Sequence, residues 1–225
     1  MQEVFIKKVR YILVKFPDID FSASDLPKLR GYFASKYPAD HLFHNHLPDN
    51  TLSYKMPLIQ YRIIDNHPAL IGINEGIDVM KKVFFEINSI NINGVAFRTT
   101  EREISVIESG FGICEEYVNY RFNSPWMALN EENHVKYLNC NPIEKNILLK
   151  RILRQNLKTL SKGFDYWIKD FDGLQMDGWF KPMQVKFKDN TMTCFKGEFT
   201  TNFAIPPMLG VGKQSARGFG VIEKI

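Results

Sequence analysis

Cysteine is scarce in this chain of 225 residues: Cys114, Cys140 and Cys194 stand far apart and form no C-x-x-C pair. That excludes a disulfide framework and a zinc ribbon and fits a reducing, cytoplasmic compartment. Long apolar runs are missing as well. No stretch approaches the roughly 20 apolar residues of a membrane span, and MQEVFIKKVRYILVKF has neither the apolar centre nor the cleavage site of a signal peptide. A soluble protein without a membrane partner is expected. Neither sign of charge dominates: Lys plus Arg total 29 against 25 for Asp plus Glu, a net charge of +4 and a pI near 8.8. This permits a polyanionic partner without requiring one.

What the sequence does have is a glycine-rich segment near its C-terminus, LGVGKQSARGFGV from Leu209 to Val221. Gly210, Gly212, Gly218 and Gly220 allow backbone shapes that side chains would block, and Lys213 and Arg217 add positive charge. Such a loop, with Gln214 and Ser215 inside it, suits phosphate oxygens. It is not a nucleotide P-loop, because no Ser or Thr comes directly after the lysine and no helix follows. The dinucleotide fingerprint also fails, since it needs a helix and an acidic residue further on and only Ile222 to Ile225 remain.

From Glu3 to Phe16 the chain reads as a strand. Ser24 or Asp25 then caps a helix with Pro27 in its first turn, which Pro38 ends. Ser53 to Ile64 and Ala69 to Ile73 read as strands joined at Asp65-Asn66-His67-Pro68, Glu75 to Phe85 as a helix, and Ile90 to Ile107 as a strand. The order β-α-β-β-α-β is the ferredoxin-like pattern that also underlies the RNA recognition motif. A strand from Glu116 to Phe122 opens the second half, followed by a helical region from Glu131. A helix opened by Pro142 carries Ile143, Ile147, Leu148, Ile152 and Leu157; a hairpin of Gly178 to Lys188 with Thr191 to Phe203 and a closing strand from Phe219 complete it. SGFG interrupts two strand patterns and puts a domain boundary between Ser109 and Glu115. The expected fold is therefore α+β, with two tandem ferredoxin-like domains over 1–110 and 111–225. The second is degenerate, with the Gly-rich loop in place of a second full helix. The 18 Phe and 9 Tyr mainly serve packing of the sheets, with base stacking as a minority use.

The spacing G-x-G-x-x-x-x-x-G-F-G near the C-terminus of a basic chain resembles the Gly-rich loop of the CRISPR-associated repeat-RNA processing endoribonucleases. That is the family numbered six among the Cas proteins, in the RAMP superfamily. LPKLRGYFASKYPADHLFHNHL followed by YKMPLIQYRII and ALIGINEG is similar to the N-terminal region of its shorter archaeal and bacterial branch. The resemblance implies binding of a CRISPR repeat transcript and one cut per repeat, with neither metal nor cofactor, leaving a 2′,3′-cyclic phosphate and a 5′-hydroxyl. It also implies a monomer or homodimer that can join other CRISPR effector subunits.

Cleavage through a 2′-hydroxyl needs a base for that hydroxyl, positive charge or N–H groups for the phosphorane, and an acid for the departing 5′-oxygen. Histidine serves either proton-transfer role, and His41, His44 and His46 fall within DHLFHNH. In an extended segment His44 and His46 share a side with Cα atoms roughly 6.5 Å apart; in a helix His41 and His44 share a face instead. The alternatives are surface histidines without a task, or metal ligation with Asp40 or Asp49 assisting. Arg30, Tyr32, Lys36, Tyr54 and Lys55 lie around the cluster as candidates for phosphorane and nucleotide contacts. Between Lys145 and Lys162, Lys150, Arg154 and Lys158 share one helix face, which reads as either a solvated face or a phosphate-contacting stripe. A non-cleaving RNA-binding subunit and a histidine-ligated metal hydrolase are the rival functions.

Overall fold

The computed structural model describes residues 6–44, 56–187 and 189–225. Two compact units divide the chain: an N-terminal unit of Arg10–Glu108 with Ala216–Gly218, and a C-terminal unit of Met1–Val9, Ser109–Ser215 and Phe219–Ile225.

In the N-terminal unit the chain runs through β1 (Lys7–Lys15), α1 (Leu26–Lys36), the short α2 (His41–His44), β2 (Ile59–Ile64), β3 (His67–Ile73) and α3 (Gly76–Glu86). A separate hairpin of β4 (Ser89–Ile92) and β5 (Val95–Arg98) follows, then β6 (Glu103–Phe122). The strands pair in the order β2-β3-β1-β6, the arrangement of a ferredoxin-like sheet. Asp65 and Asn66 both take positive φ, at 52° and 67°, which makes the β2–β3 connection a two-residue turn matched to strand twist. Leu29 and Phe33 of α1 and Met80 and Val83 of α3 bury against Ile12, Val14, Phe16 and Leu70, so both helices cover one face of the sheet.

Asp25 stands at the N-cap of α1 with Pro27 in the first turn, as expected, and a 3-10 turn at Ala23–Asp25 precedes it, opened by Ser22, whose N–H donates to Asp25 Oδ2 at 3.0 Å. Two local expectations change here. The stretch from Ile90 to Ile107 is not one strand, because Asn93 and Gly94 turn the chain back at φ 53° and 84°. SGFG does not interrupt β6, which runs unbroken from Glu103 to Phe122; the glycines precede a register shift between Ile113 and Val118. The passage from one unit to the other thus falls inside a strand.

The C-terminal unit takes up β6 from Ser109 and continues through α4 (Glu131–Asn139), α5 (Pro142–Gly163), β7 (Met176–Phe187), β8 (Asn190–Ala204) and β9 (Ile222–Lys224). β9 pairs with β6, which pairs with β8, which pairs with β7. With the β4–β5 hairpin set aside and the strands counted within each unit, the pairing order reads 4-1-3-2 in both. Asn141 opens α5 by accepting from the N–H groups of Ile143 and Glu144 at 3.0 Å, while Glu144 accepts from the Asn141 N–H at 2.9 Å. Leu148, Ile152 and Leu157 are buried, as their spacing suggests, but Ile143 and Ile147 are 74% and 58% exposed. Between β8 and β9, where the plan calls for a second helix, stands the Gly-rich loop. All three cysteines are free, and burial raises the pKa of the Cys114 and Cys194 thiols, the latter to about 11. Among the described residues no helix is long and apolar enough to cross a membrane.

Trp126 is the centre of this unit's core. It is fully buried, stacks on Phe122 with ring centroids 5.1 Å apart, packs on Phe180 and Phe195, and donates its indole N–H to Asn156 Oδ1 at 3.1 Å. Gly212 sits on that bond at φ 91°, where an added Cβ would lie 2.7 Å from Trp126 Nε1 and 2.9 Å from Asn156 Oδ1. Gly212→Ala therefore meets both an unfavourable backbone region and a displaced buried hydrogen bond. We expect it to cost about 2–4 kcal/mol, lowering the melting temperature by roughly 5–15 °C. Gly31→Ala, in α1 with open space around it, has the opposite sign, a gain of about 0.5–1 kcal/mol. Paired thermal and denaturant melts of the two variants check both directions.

Candidate functional site

The histidine segment begins on a fixed turn. Asp40 starts α2 by accepting the Phe43 N–H on its carbonyl at 3.2 Å and the Leu42 N–H on Oδ1 at 3.1 Å. Phe43 is 1% exposed and stacks on Phe33 and Tyr37, with centroids 5.8 and 5.0 Å away, which locks this turn to α1. The main chain is helical through His44, so the extended geometry does not apply up to that point. The side chain of His44, and all of His46, Asp49, Tyr54 and Lys55, lie outside the described residues.

His41 is exposed and lines a cleft of about 580 Å³ within the N-terminal unit, together with Lys36, Asp40, Glu75 and Lys82. Glu75, Val79 and Lys82 were not singled out from the sequence, although their spacing around α3 places them on one side. The Lys82 ammonium lies 5.1 Å over the Tyr37 ring. Tyr32 donates its hydroxyl to the Ser89 carbonyl at 2.6 Å and is thereby tied to the fold. His67, the first residue of β3, contacts the Ile19 carbonyl through Nδ1 at 3.0 Å, a structural role.

The Gly-rich loop is closed by its own main chain. Val211 donates to the Gly220 carbonyl at 2.9 Å and Phe219 to Gln214 at 3.4 Å, while Lys213 donates to Met127 at 3.3 Å and Gly220 to Pro125 at 2.9 Å. Val221 donates to Ser124 Oγ at 2.8 Å. These five N–H groups are engaged within the protein, which leaves phosphate contacts to the rest of the loop and to its side chains. Gly210 and Gly220 are buried, and Gly220 has no room for a Cβ against Val211. Gln214 takes φ 59°, Ser215 is buried at the start of the turn Ser215–Arg217, and Lys213 projects into solvent.

Ala216–Gly218 belong to the N-terminal unit. Gly218 lies so close to Leu26, at the start of α1, that a side chain there would collide with it. Arg217 is half-buried next to Arg30. Burial first, and then the charge of Arg30, hold the Arg217 pKa below its ordinary value. The charge of Arg30 also reaches Tyr61, whose buried hydroxyl has no hydrogen-bond partner among the described residues and whose pKa burial pushes far up.

The stripe on α5 is engaged elsewhere within the C-terminal unit. Lys150 pairs with Asp177 Oδ1 at 3.0 Å. Arg154 bonds the Phe171 carbonyl and lies 4.7 Å over that ring, and Lys158 lies 4.9 Å over it. The three cations do share a face, but that face holds residues 171–177, which counts against a phosphate-contacting stripe.

With this geometry in hand, comparison with known proteins gives a consistent answer. The Cas6b N-terminal domain family model matches residues 7–109 and the Cas6b C-terminal domain model matches residues 112–225. A crystal structure of Cas6b is 38% identical, with a TM-score of 0.90 over 97% of this chain and 100% of that one. The CRISPR RNA processing endoribonuclease Cas6b is 36% identical, with a TM-score of 0.77 and the same coverage, 97% and 100%. An uncharacterized protein of Methanocaldococcus jannaschii is 34% identical over 148 residues, 65% of this chain and 99% of its own length. Two domain models in the family's order, covering nearly the whole chain and agreeing with two sheets of one plan, show that this protein belongs to the Cas6b family.

Proposed function

We propose that the chain is an endoribonuclease that processes CRISPR repeat RNA, cutting without a metal by attack of a 2′-hydroxyl. What supports this most is the match to both Cas6b domains, with 36% identity to a CRISPR RNA processing endoribonuclease. In this reading one histidine of the segment takes the proton of the 2′-hydroxyl as its oxygen attacks phosphorus. A second gives a proton to the departing 5′-oxygen, leaving a 2′,3′-cyclic phosphate and a 5′-hydroxyl. His44 and His46 are assigned these roles, and His41, on the turn that Phe43 anchors, is the third histidine of the segment. Lys36 supplies positive charge near the cleft. The RNA backbone meets Lys213, which is exposed, and Arg30 and Arg217, two cations whose charges reach each other.

Single-turnover cleavage of repeat RNA should continue undiminished in chelator and yield a 2′,3′-cyclic phosphate. His44→Ala and His46→Ala should each slow it by about 10²–10⁴-fold while RNA affinity stays near that of the unsubstituted protein. Activity abolished by chelator, or full activity in the double variant, removes this mechanism.

Phosphate recognition has its own signature in salt titrations. Lys213→Ala and Arg217→Ala should each weaken repeat binding and flatten the plot of log affinity against log salt by about 0.7 for each phosphate no longer neutralised. Lys158→Ala, whose ammonium lies over Phe171, should leave that slope unchanged; a flatter slope would restore the α5 stripe to the RNA interface.

A further inference from the structure

Trp179 is 57% exposed although its neighbour Phe180 is 8% exposed and packs on Trp126 and Phe122. Alternation along β7 puts the two on opposite faces, so the indole stands on the side of the strand away from that packing. It lies in a cleft of about 560 Å³ in the C-terminal unit, lined also by Arg121, Lys181, Lys196, Gly197 and Glu198. That volume is within the range of small-ligand sites. Gly197 has φ 157°, and a Cβ there would collide with the Trp179 carbonyl, so this part of the cleft carries no side chain.

Positive charge predominates around the indole, where Arg121, Lys181 and Lys196 line the cleft against one carboxylate, Glu198. Lys181 and Lys196 stand directly opposite each other across β7 and β8, a pairing of like charges that destabilises a sheet. Among the described residues neither has an ion-pair partner, whereas Arg121 is paired with Glu223. The Lys181 ammonium lies 4.8 Å over the Trp179 ring. Glu198, opposite both Trp179 and Arg121 in the register, is the cleft's own carboxylate. An exposed π face beside two unpaired ammonium groups has the two elements that hold single-stranded nucleic acid: a stacking surface for a base and positive charge for the adjoining phosphates.

We propose that this cleft is a stacking subsite for an unpaired nucleotide of the RNA, the base on Trp179 and its flanking phosphates on Lys181 and Lys196. The proposal rests on the reading of the chain as an RNA-processing enzyme and adds a contact outside the histidine segment and the Gly-rich loop. Duplex RNA does not fit the subsite, because its bases are already stacked on one another.

Tryptophan fluorescence tests it directly. Trp126 is fully buried and Trp167 is 72% exposed, so Trp167→Phe leaves Trp179 as the only exposed indole. Titrating that variant with single-stranded repeat RNA should quench its fluorescence to saturation, while a fully paired RNA should not. The Trp167→Phe/Trp179→Phe protein should show no quenching with either. Trp179→Ala should weaken single-stranded repeat binding by about five- to 150-fold, seen in Kd and KM, with Trp179→Phe recovering most of the affinity. Lys181→Ala/Lys196→Ala should flatten the salt dependence. Repeat RNA that binds and is cleaved without quenching Trp179, or that binds Trp179→Ala within twofold of the unsubstituted protein, overturns the subsite alone. Repeat RNA that is neither bound nor cleaved by the unsubstituted protein overturns the function it rests on as well.

Discussion

The segment from Ser124 to Met127 is bonded on both of its sides, and the C-terminal unit depends on it. On one side Trp126 and Phe195 exchange main-chain hydrogen bonds at 2.7 and 2.9 Å; on the other, Met127, Pro125 and Ser124 accept from Lys213, Gly220 and Val221. Trp126 anchors the middle, its ring stacked in the core and its N–H on Asn156. The Gly-rich loop is thus a laced continuation of the fold. It fills the place of the missing second helix with Leu209 and Val211, both buried, where a helix would have offered an apolar stripe. Glycine is needed where the loop meets what it covers: Gly212 against the indole, Gly220 against Val211.

This lacing constrains anion recognition. The N–H groups of Val211, Lys213, Phe219, Gly220 and Val221 are spent within the protein, so at these positions anion recognition falls to side chains. Lys213 reaches solvent as a simple point charge. Arg217 is held differently, partly desolvated and beside Arg30 in the N-terminal unit.

Much of the architecture was legible in the sequence, because alternation, proline and capping residues each act locally. The β-α-β-β-α-β order follows from them, and the repeated 4-1-3-2 pairing was foreshadowed by the second half's matching run of elements. Asn93-Gly94 was also legible, since that dipeptide is a strong hairpin signal, but the apolar pattern on either side masked it as one strand. SGFG was not decidable locally: glycine in a strand pattern marks either a break or an irregularity in register, and only the partner strand tells which. The same limit applies to the site. Arg30 and Arg217 are far apart in sequence, and nothing in either neighbourhood says that they meet. Trp126 and Trp179 are chemically identical, yet one is core and the other surface because a strand's two faces meet different surroundings.

Charge counting shows why such surroundings matter for function. The richest basic run in the sequence lies on α5, but its cations hold the connection to β7 in place. Arg154 and Lys158 sit on Phe171, Lys162 lies 5.7 Å over Trp167, and Lys150 bonds Asp177. Lys150 and Arg154 are moreover bonded to oxygen partners, a carboxylate and a main-chain carbonyl, so basicity there is structural first. Lys181 and Lys196 are less conspicuous in sequence, separated by a whole hairpin and flanked by ordinary strand residues. The register brings them face to face, with no ion-pair partner among the described residues, beside an exposed indole. A chain with only a modest net positive charge can therefore still address a polyanion if its unpaired charges are concentrated. The strand pairing of β7 with β8 concentrates them here.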